Sequence, residues 1–131
     1  ISLGDTIGVG TPRQTEQILT EVLKVIPRER LAMHMHDTRG TALANVLMGL
    51  QVGLTTFDAA VGGLGGCPYA PGAAGNLATE DLLFLLEGLG VGTGVRLEGV
   101  RAASRGIEAA IGRPLQGKVF RAGPAPWVTK S

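Results

Sequence analysis

Residues 31–36, Leu-Ala-Met-His-Met-His, read with period two. A strand of that pattern sends Leu31, Met33 and Met35 to one face and Ala32, His34 and His36 to the other. Upstream, Ile18, Leu19, Val22, Leu23 and Ile26 recur at helical spacing and define one apolar stripe. That helix has a written start: Thr11 at the N-cap, Pro12 at the first helical position, and Gln14 placed to complete a capping box. Pro27 stops it. Residues 1–3 read as a short buried strand, joined to the helix by a Gly-containing loop over 7–10.

Beyond the histidine strand, residues 41–52 are rich in Ala and Leu and form a second predicted helix, ended by Gly53. Residues 55–61 are β-branched and apolar enough for a third strand. Residues 62–76 are so rich in Gly, Ala and Pro that no core can be built from them, and long loops of this kind commonly carry function. A third helix is expected from about 76–79 to 87, with Gly88 and Gly90 as its stop. A fourth is expected over 96–111, with Leu97, Val100, Ala103, Ile107 and Ile111 on one side. From Pro114 onward the chain reads as irregular.

Each strand-to-strand connection holds a helix, so the strands should be parallel with right-handed crossovers. A complete (β/α)8 barrel needs about 250 residues, and this chain has 131. The expected fold class is therefore α/β, about three βα units of a TIM barrel; an open doubly wound sheet gives the same local pattern. Residues 1–92 are expected to form the barrel part and 93–131 a C-terminal helix and tail packed on it. The chain does not begin with Met and opens directly in a strand-like run, which reads as a piece of something longer.

The formal net charge of +1 argues neither for nucleic acid nor for a membrane surface as partner. The apolar runs are too interrupted for a transmembrane helix, and no signal peptide is legible. A single cysteine, Cys67, rules out an internal disulfide framework and suits a reducing compartment.

Four groups fall at strand ends or just beyond them: Asp5, the His34/His36 pair, Cys67 and Asn76. Parallel βα architectures bring those ends together on one face. Alternate strand residues lie about 6.5–7 Å apart, so two imidazoles there can lean toward one ion. With an amide oxygen they make a mixed N/O set that admits Mg, Mn or Zn. Each group also has a plainer role: a solvated polar face for the histidines, a loop cap for Asp5, a helix N-cap for Asn76, a small buried side chain for Cys67. Placed in a Gly/Pro loop, however, the thiol can serve as acid, base or nucleophile. Glu80 and Asp81 suit the first turn of the third helix by charge. Arg39 reads as a solvated surface side chain. Gly62, Gly63, Gly65 and Gly66 precede no P-loop Lys-Ser/Thr pair, so a phosphate cradle is not indicated.

Ser-Leu-Gly-Asp-Thr-Ile-Gly-Val-Gly-Thr-Pro at 2–12, His-Met-His-Asp-Thr-Arg-Gly at 34–40, and Gly-Leu-Gly-Gly-Cys-Pro-Tyr-Ala-Pro-Gly-Ala-Ala-Gly-Asn-Leu-Ala-Thr-Glu-Asp at 63–81 together resemble the hydroxymethylglutaryl-CoA lyase family. The likeness runs from residue 1 to about 98. His-x-His is common to a wider superfamily of metal-dependent TIM-barrel lyases and synthases; the Gly-Gly-Cys-Pro-Tyr-Ala loop is far more specific, since the related synthases lack that cysteine. The resemblance implies cleavage of 3-hydroxy-3-methylglutaryl-CoA to acetyl-CoA and acetoacetate with Mg or Mn. It also implies an acyl-CoA as partner and a homo-oligomer for the intact protein, while the missing signals and the free cysteine suit a bacterial cytoplasmic or mitochondrial matrix location. His34, His36 and Asn76 match three metal ligands, Cys67 the catalytic cysteine, and Asp5 a strand-end aspartate implicated in catalysis. The matched segments would be barrel strands 6, 7 and 8. The family's remaining ligand, an Asp beside a catalytic Arg on the first strand, has no counterpart here, so this stretch alone is expected to be inactive. A Claisen-type synthase or aldolase of the same superfamily, and a non-catalytic fragment, are the alternatives.

Overall fold

Three parallel strands, β1 (Ser2–Asp5), β2 (Ala32–Met35) and β3 (Phe57–Asp58), lie side by side in sequence order in the computed structural model, which describes residues 1–66 and 75–125. Helix α1 (Pro12–Val22) connects the first two strands, and α2 (Ala42–Gln51) the second and third. The predicted βα alternation is thus present, and the crossovers leave the sheet parallel.

The period-two reading of the middle strand holds. Leu31, Met33 and Met35 are 2%, 1% and 4% exposed and form the core with Leu19, Ala42 and Val46 from the two helices. Gly49 of α2 sits so close to Met33 Sδ and Phe57 that a side chain there would collide with both. At the start of α1, the Gln14 side-chain oxygen accepts the Thr11 N–H at 3.0 Å and its hydroxyl at 2.9 Å, as the capping pattern predicts.

The third strand is shorter than the expected 55–61. Its ladder with β2 ends at Asp58 because the chain then changes partner: Ala60 N–H donates to Leu77 O at 2.9 Å, and Ala60 O accepts the Thr79 N–H at 2.9 Å. A 3-10 turn at Val61–Gly63 follows. The segment returning from the Gly-rich stretch therefore lies against the ends of β2 and β3 before entering α3 (Thr79–Gly88).

Helices α4 (Leu97–Ile111) and α5 (Lys118–Ala122) both pack on α3. The second of these corrects the sequence reading, which left everything after Pro114 irregular. Gly117 precedes α5 and offers no side chain to cap it. The cap comes instead from Asp81 on α3, whose carboxylate accepts the N–H of Val119 at 2.7 Å and of Lys118 at 3.2 Å. Among the described residues, no helix is long and apolar enough to cross a membrane.

Candidate functional site

Strand register sorts the candidate groups by face. In a parallel pair, register partners share a face of the sheet. Gly4 pairs with His34, and His34 with Asp58, so the histidine face carries His34 and Asp58 side by side. Asp5 pairs with Met35, on the core face.

The two imidazoles do converge. His34 Nε2 and His36 Nε2 are 3.2 Å apart, with ring centroids separated by 5.1 Å in an edge-on arrangement. His34 is partly exposed, whereas His36 is 7% exposed. His36 lies just past β2 and forms an antiparallel bridge with Asn76. Directly opposed residues of an antiparallel pair share a face, so the amide of Asn76 stands beside His36. Its Nδ2 donates to Leu64 O at 2.8 Å, which leaves Oδ1 buried with no hydrogen-bond partner among the described residues. His36 Nδ1 is likewise buried and unpartnered there. Leaving a buried amide oxygen without a hydrogen bond is costly, and here it accompanies two ring nitrogens 3.2 Å apart, an N/O donor set of the kind that divalent cations take. The donor set therefore fits a divalent cation. Asn76 does not cap α3, whose N-cap is Ala78.

Two glycines shape this corner. Asn76 N–H donates to Gly65 O at 3.1 Å, and Gly75 passes so close to Gly65 O that no side chain could be fitted on it. Gly65 has φ of +102° and an added Cβ would lie 2.6 Å from Asn76 Nδ2. Cys67 itself lies outside the described residues.

The remaining polar groups hold the surrounding loops. Asp5 Oδ1 accepts the Val9 N–H at 3.0 Å and Oδ2 the Gly10 N–H at 2.9 Å, so this carboxylate orders the loop after β1. Arg39 is a brace across that loop: its Nη1 donates to the Ile7 and Gly8 carbonyls, each at 3.0 Å. Glu80, fully buried, accepts the Gly62 N–H at 2.9 Å and the Ser104 hydroxyl, and so fixes the turn that opens the Gly-rich stretch. Asp81 is spent on α5, and burial, opposed by its two backbone hydrogen bonds, pushes its carboxyl above the ordinary range.

Asp58 is the site residue that sequence reasoning missed. Its Oδ1 lies 2.5 Å from His34 Nδ1. The signal was present, since a polar residue inside a predicted apolar strand calls for a partner, but only the register reveals which residue it faces.

A family model described as HMGL-like matches residues 1–107. The chain belongs to the HMGL-like family. Among its HMGL-like relatives, human mitochondrial hydroxymethylglutaryl-CoA lyase is 55% identical over 122 residues, which make up 93% of this chain and 38% of that protein. Hydroxymethylglutaryl-CoA lyase YngG of Bacillus subtilis (strain 168) is 52% identical over 115 residues, 88% of this chain and 38% of that one. An HMG-CoA lyase from Acinetobacter baumannii, solved with coenzyme A and 3-methylmalate, matches with a TM-score of 0.90 and 44% identity over 96% of this chain and 41% of that structure. The chain thus spans 38% of the length of these curated relatives. Its three βα units are a section of the HMGL-like barrel, the fold class read from the sequence.

Proposed function

We propose that the protein carrying this chain is a divalent-metal-dependent carbon–carbon lyase that cleaves 3-hydroxy-3-methylglutaryl-CoA to acetyl-CoA and acetoacetate. The reading rests on one observation above the others: two imidazole nitrogens meet at 3.2 Å beside Asn76 Oδ1, which is buried with no hydrogen-bond partner among the described residues. Relatives named as hydroxymethylglutaryl-CoA lyases, at 52% and 55% identity, supply the reaction class. The solved relative with coenzyme A supports an acyl-CoA as substrate.

His34, His36 and Asn76 are the residues of this chain that would hold Mg or Mn. A cation held there would supply Lewis-acid stabilisation of developing negative charge on the substrate. Cleavage then breaks the bond to the acetyl-CoA carbon and leaves the electron pair on the acetyl-CoA enolate. A base at the strand ends takes the hydroxyl proton, and Asp5 and the paired histidines are the candidates here. To serve, Asp5 would have to release Val9 or Gly10, because both its oxygens are engaged in the loop, and turn from the core face that it shares with Met35. Cys67 delivers a proton to the enolate carbon. In this reading residues 1–92 form the barrel part, residues 93–131 cover it, and the intact protein is a homo-oligomer. Relatives include bacterial, mitochondrial and cytoplasmic forms, and a bacterial cytoplasmic or mitochondrial matrix location suits this protein.

The test is acetoacetate release by the full-length protein from 3-hydroxy-3-methylglutaryl-CoA, together with Mn titration. Turnover should vanish on chelation and return with Mg or Mn, and His34→Ala, His36→Ala and Asn76→Ala should each weaken Mn binding. Metal-independent turnover, or a histidine variant that binds Mn as tightly as the wild type, would remove this assignment.

A further inference from the structure

We propose that Asp58 is a positioning residue for His34: it accepts the Nδ1–H of the imidazole and so keeps the Nε2 lone pair turned to the site. The inference rests on the metal-binding reading of His34, His36 and Asn76, and adds to it a residue outside that set. An ionised carboxylate can only accept, so at 2.5 Å from Asp58 Oδ1 the proton belongs on His34 Nδ1. In the metal-free protein His34 Nε2 is then an acceptor, and the 3.2 Å contact is filled by the proton of His36 Nε2, which must move to Nδ1 before His36 can hold a cation through Nε2. Without the cation His36 Nδ1 is bare, in agreement with its being buried without a partner among the described residues. One direction of donation runs from His36 through His34 to Asp58.

The backbone fixes this contact. Asp58 is the register partner of His34 in the parallel ladder, so its side chain is delivered to the same face with no loop intervening. More than half of the Asp58 side chain is exposed, which makes it a poor contributor to the core and a suitable orienting group for a ring beside it. Carboxylates that hold the second nitrogen of a ligating histidine fix both tautomer and ring direction, and their loss typically costs about 10–100-fold in metal affinity.

The experiment has two arms in the full-length protein. In the first, the metal-stripped wild type is labelled with ¹⁵N-histidine and examined at about pH 8.5, where neutral imidazole dominates. The His34 ring should report a protonated Nδ1 and a bare Nε2. In the second, Mn binding is compared between wild type, Asp58→Asn and Asp58→Ala. Both variants should lose about 10–100-fold in affinity, and Asp58→Asn should lose the wild-type tautomer although it keeps the shape of the side chain. A protonated Nε2 in the wild type, or an Asn variant that binds Mn as tightly as the wild type, overturns the role of Asp58. A wild type that takes up no Mn overturns the metal reading instead, and the ring spectra then decide the tautomer by themselves.

Discussion

Lys118 Nζ lies 2.6 Å from Asp37 Oδ2, so the last helix is tied to the residue that follows His36. Asp37 Oδ1 in turn accepts the Ala42 N–H at 3.1 Å, at the start of α2. The hydrogen bond from Asp37 is the largest cause that raises the Lys118 ammonium above its ordinary 10.5. A raised lysine stabilises the fold below its unfolded value, and the contribution is lost as pH rises through the folded one. Lys118→Met should therefore cost less than about 1 kcal/mol near neutrality, since the lysine is largely exposed. Urea unfolding of both proteins should show the gap closing above about pH 10.5.

Asp81→Ala removes the remote cap of α5. The expected cost is about 0.5–2 kcal/mol, the usual worth of a helix cap, with protease sensitivity rising at residues 118–122. Because burial raises the Asp81 carboxyl above 3.8, its protonation favours the folded state; that contribution is fully present below the unfolded value and is lost as pH rises through the folded one. A carboxyl NMR titration of Asp81 with a midpoint at or below 3.8 would contradict this.

Glu80→Ala should destabilise the fold by about 2–5 kcal/mol, because it strands the Gly62 N–H and the Ser104 hydroxyl and opens a cavity at a fully buried position. Ser104→Ala should cost less, since the Gly62 bond to Glu80 survives. Denaturant midpoints of the two variants give the comparison.

At Gly65 both conformation and space are special. Gly65→Ala forces a side chain into φ of +102° and against Asn76 Nδ2. We expect about 1–3 kcal/mol of lost stability and weaker Mn binding, as the amide is pushed from its place beside His36. Calorimetric titration of the full-length variant checks this, and unchanged affinity would detach Asn76 from the cation.

Cys67→Ala should leave Mn affinity nearly unchanged and lower kcat by about 10²–10⁴-fold, the range of a lost general acid or base. Turnover and metal titration on the same preparation separate the two effects. Near-normal kcat would return the thiol to a structural role.

The strands, the first four helices and the convergence of His34 with His36 were legible because period and spacing are local properties of the chain. What escaped was supplied from a distance in sequence. Helix α5 has no cap of its own and borrows Asp81. Glu80 and Asp81 look like ordinary first-turn carboxylates until α4 and α5 come to meet them. Arg39 is exposed, as read, but the carbonyls it braces belong to Ile7 and Gly8 and cannot be foreseen from its own surroundings in sequence. Asp5 sits at the expected strand end, but one step of register places it on the face away from His34. Asp58 is invisible as a partner of His34 until the two strands are set side by side.

The contact between Gly65 and Gly75 has an evolutionary consequence. The segment between them leaves and re-enters at one point, where Asn76 N–H reaches Gly65 O and Asn76 Nδ2 reaches Leu64 O. The residues that frame His36 are therefore joined to each other directly, and not through the intervening chain. Doubling the length of a closed excursion costs only about 0.6 kcal/mol. Changes of length between the two glycines that spare Cys67 therefore cost the fold little and leave the amide beside His36 where it is.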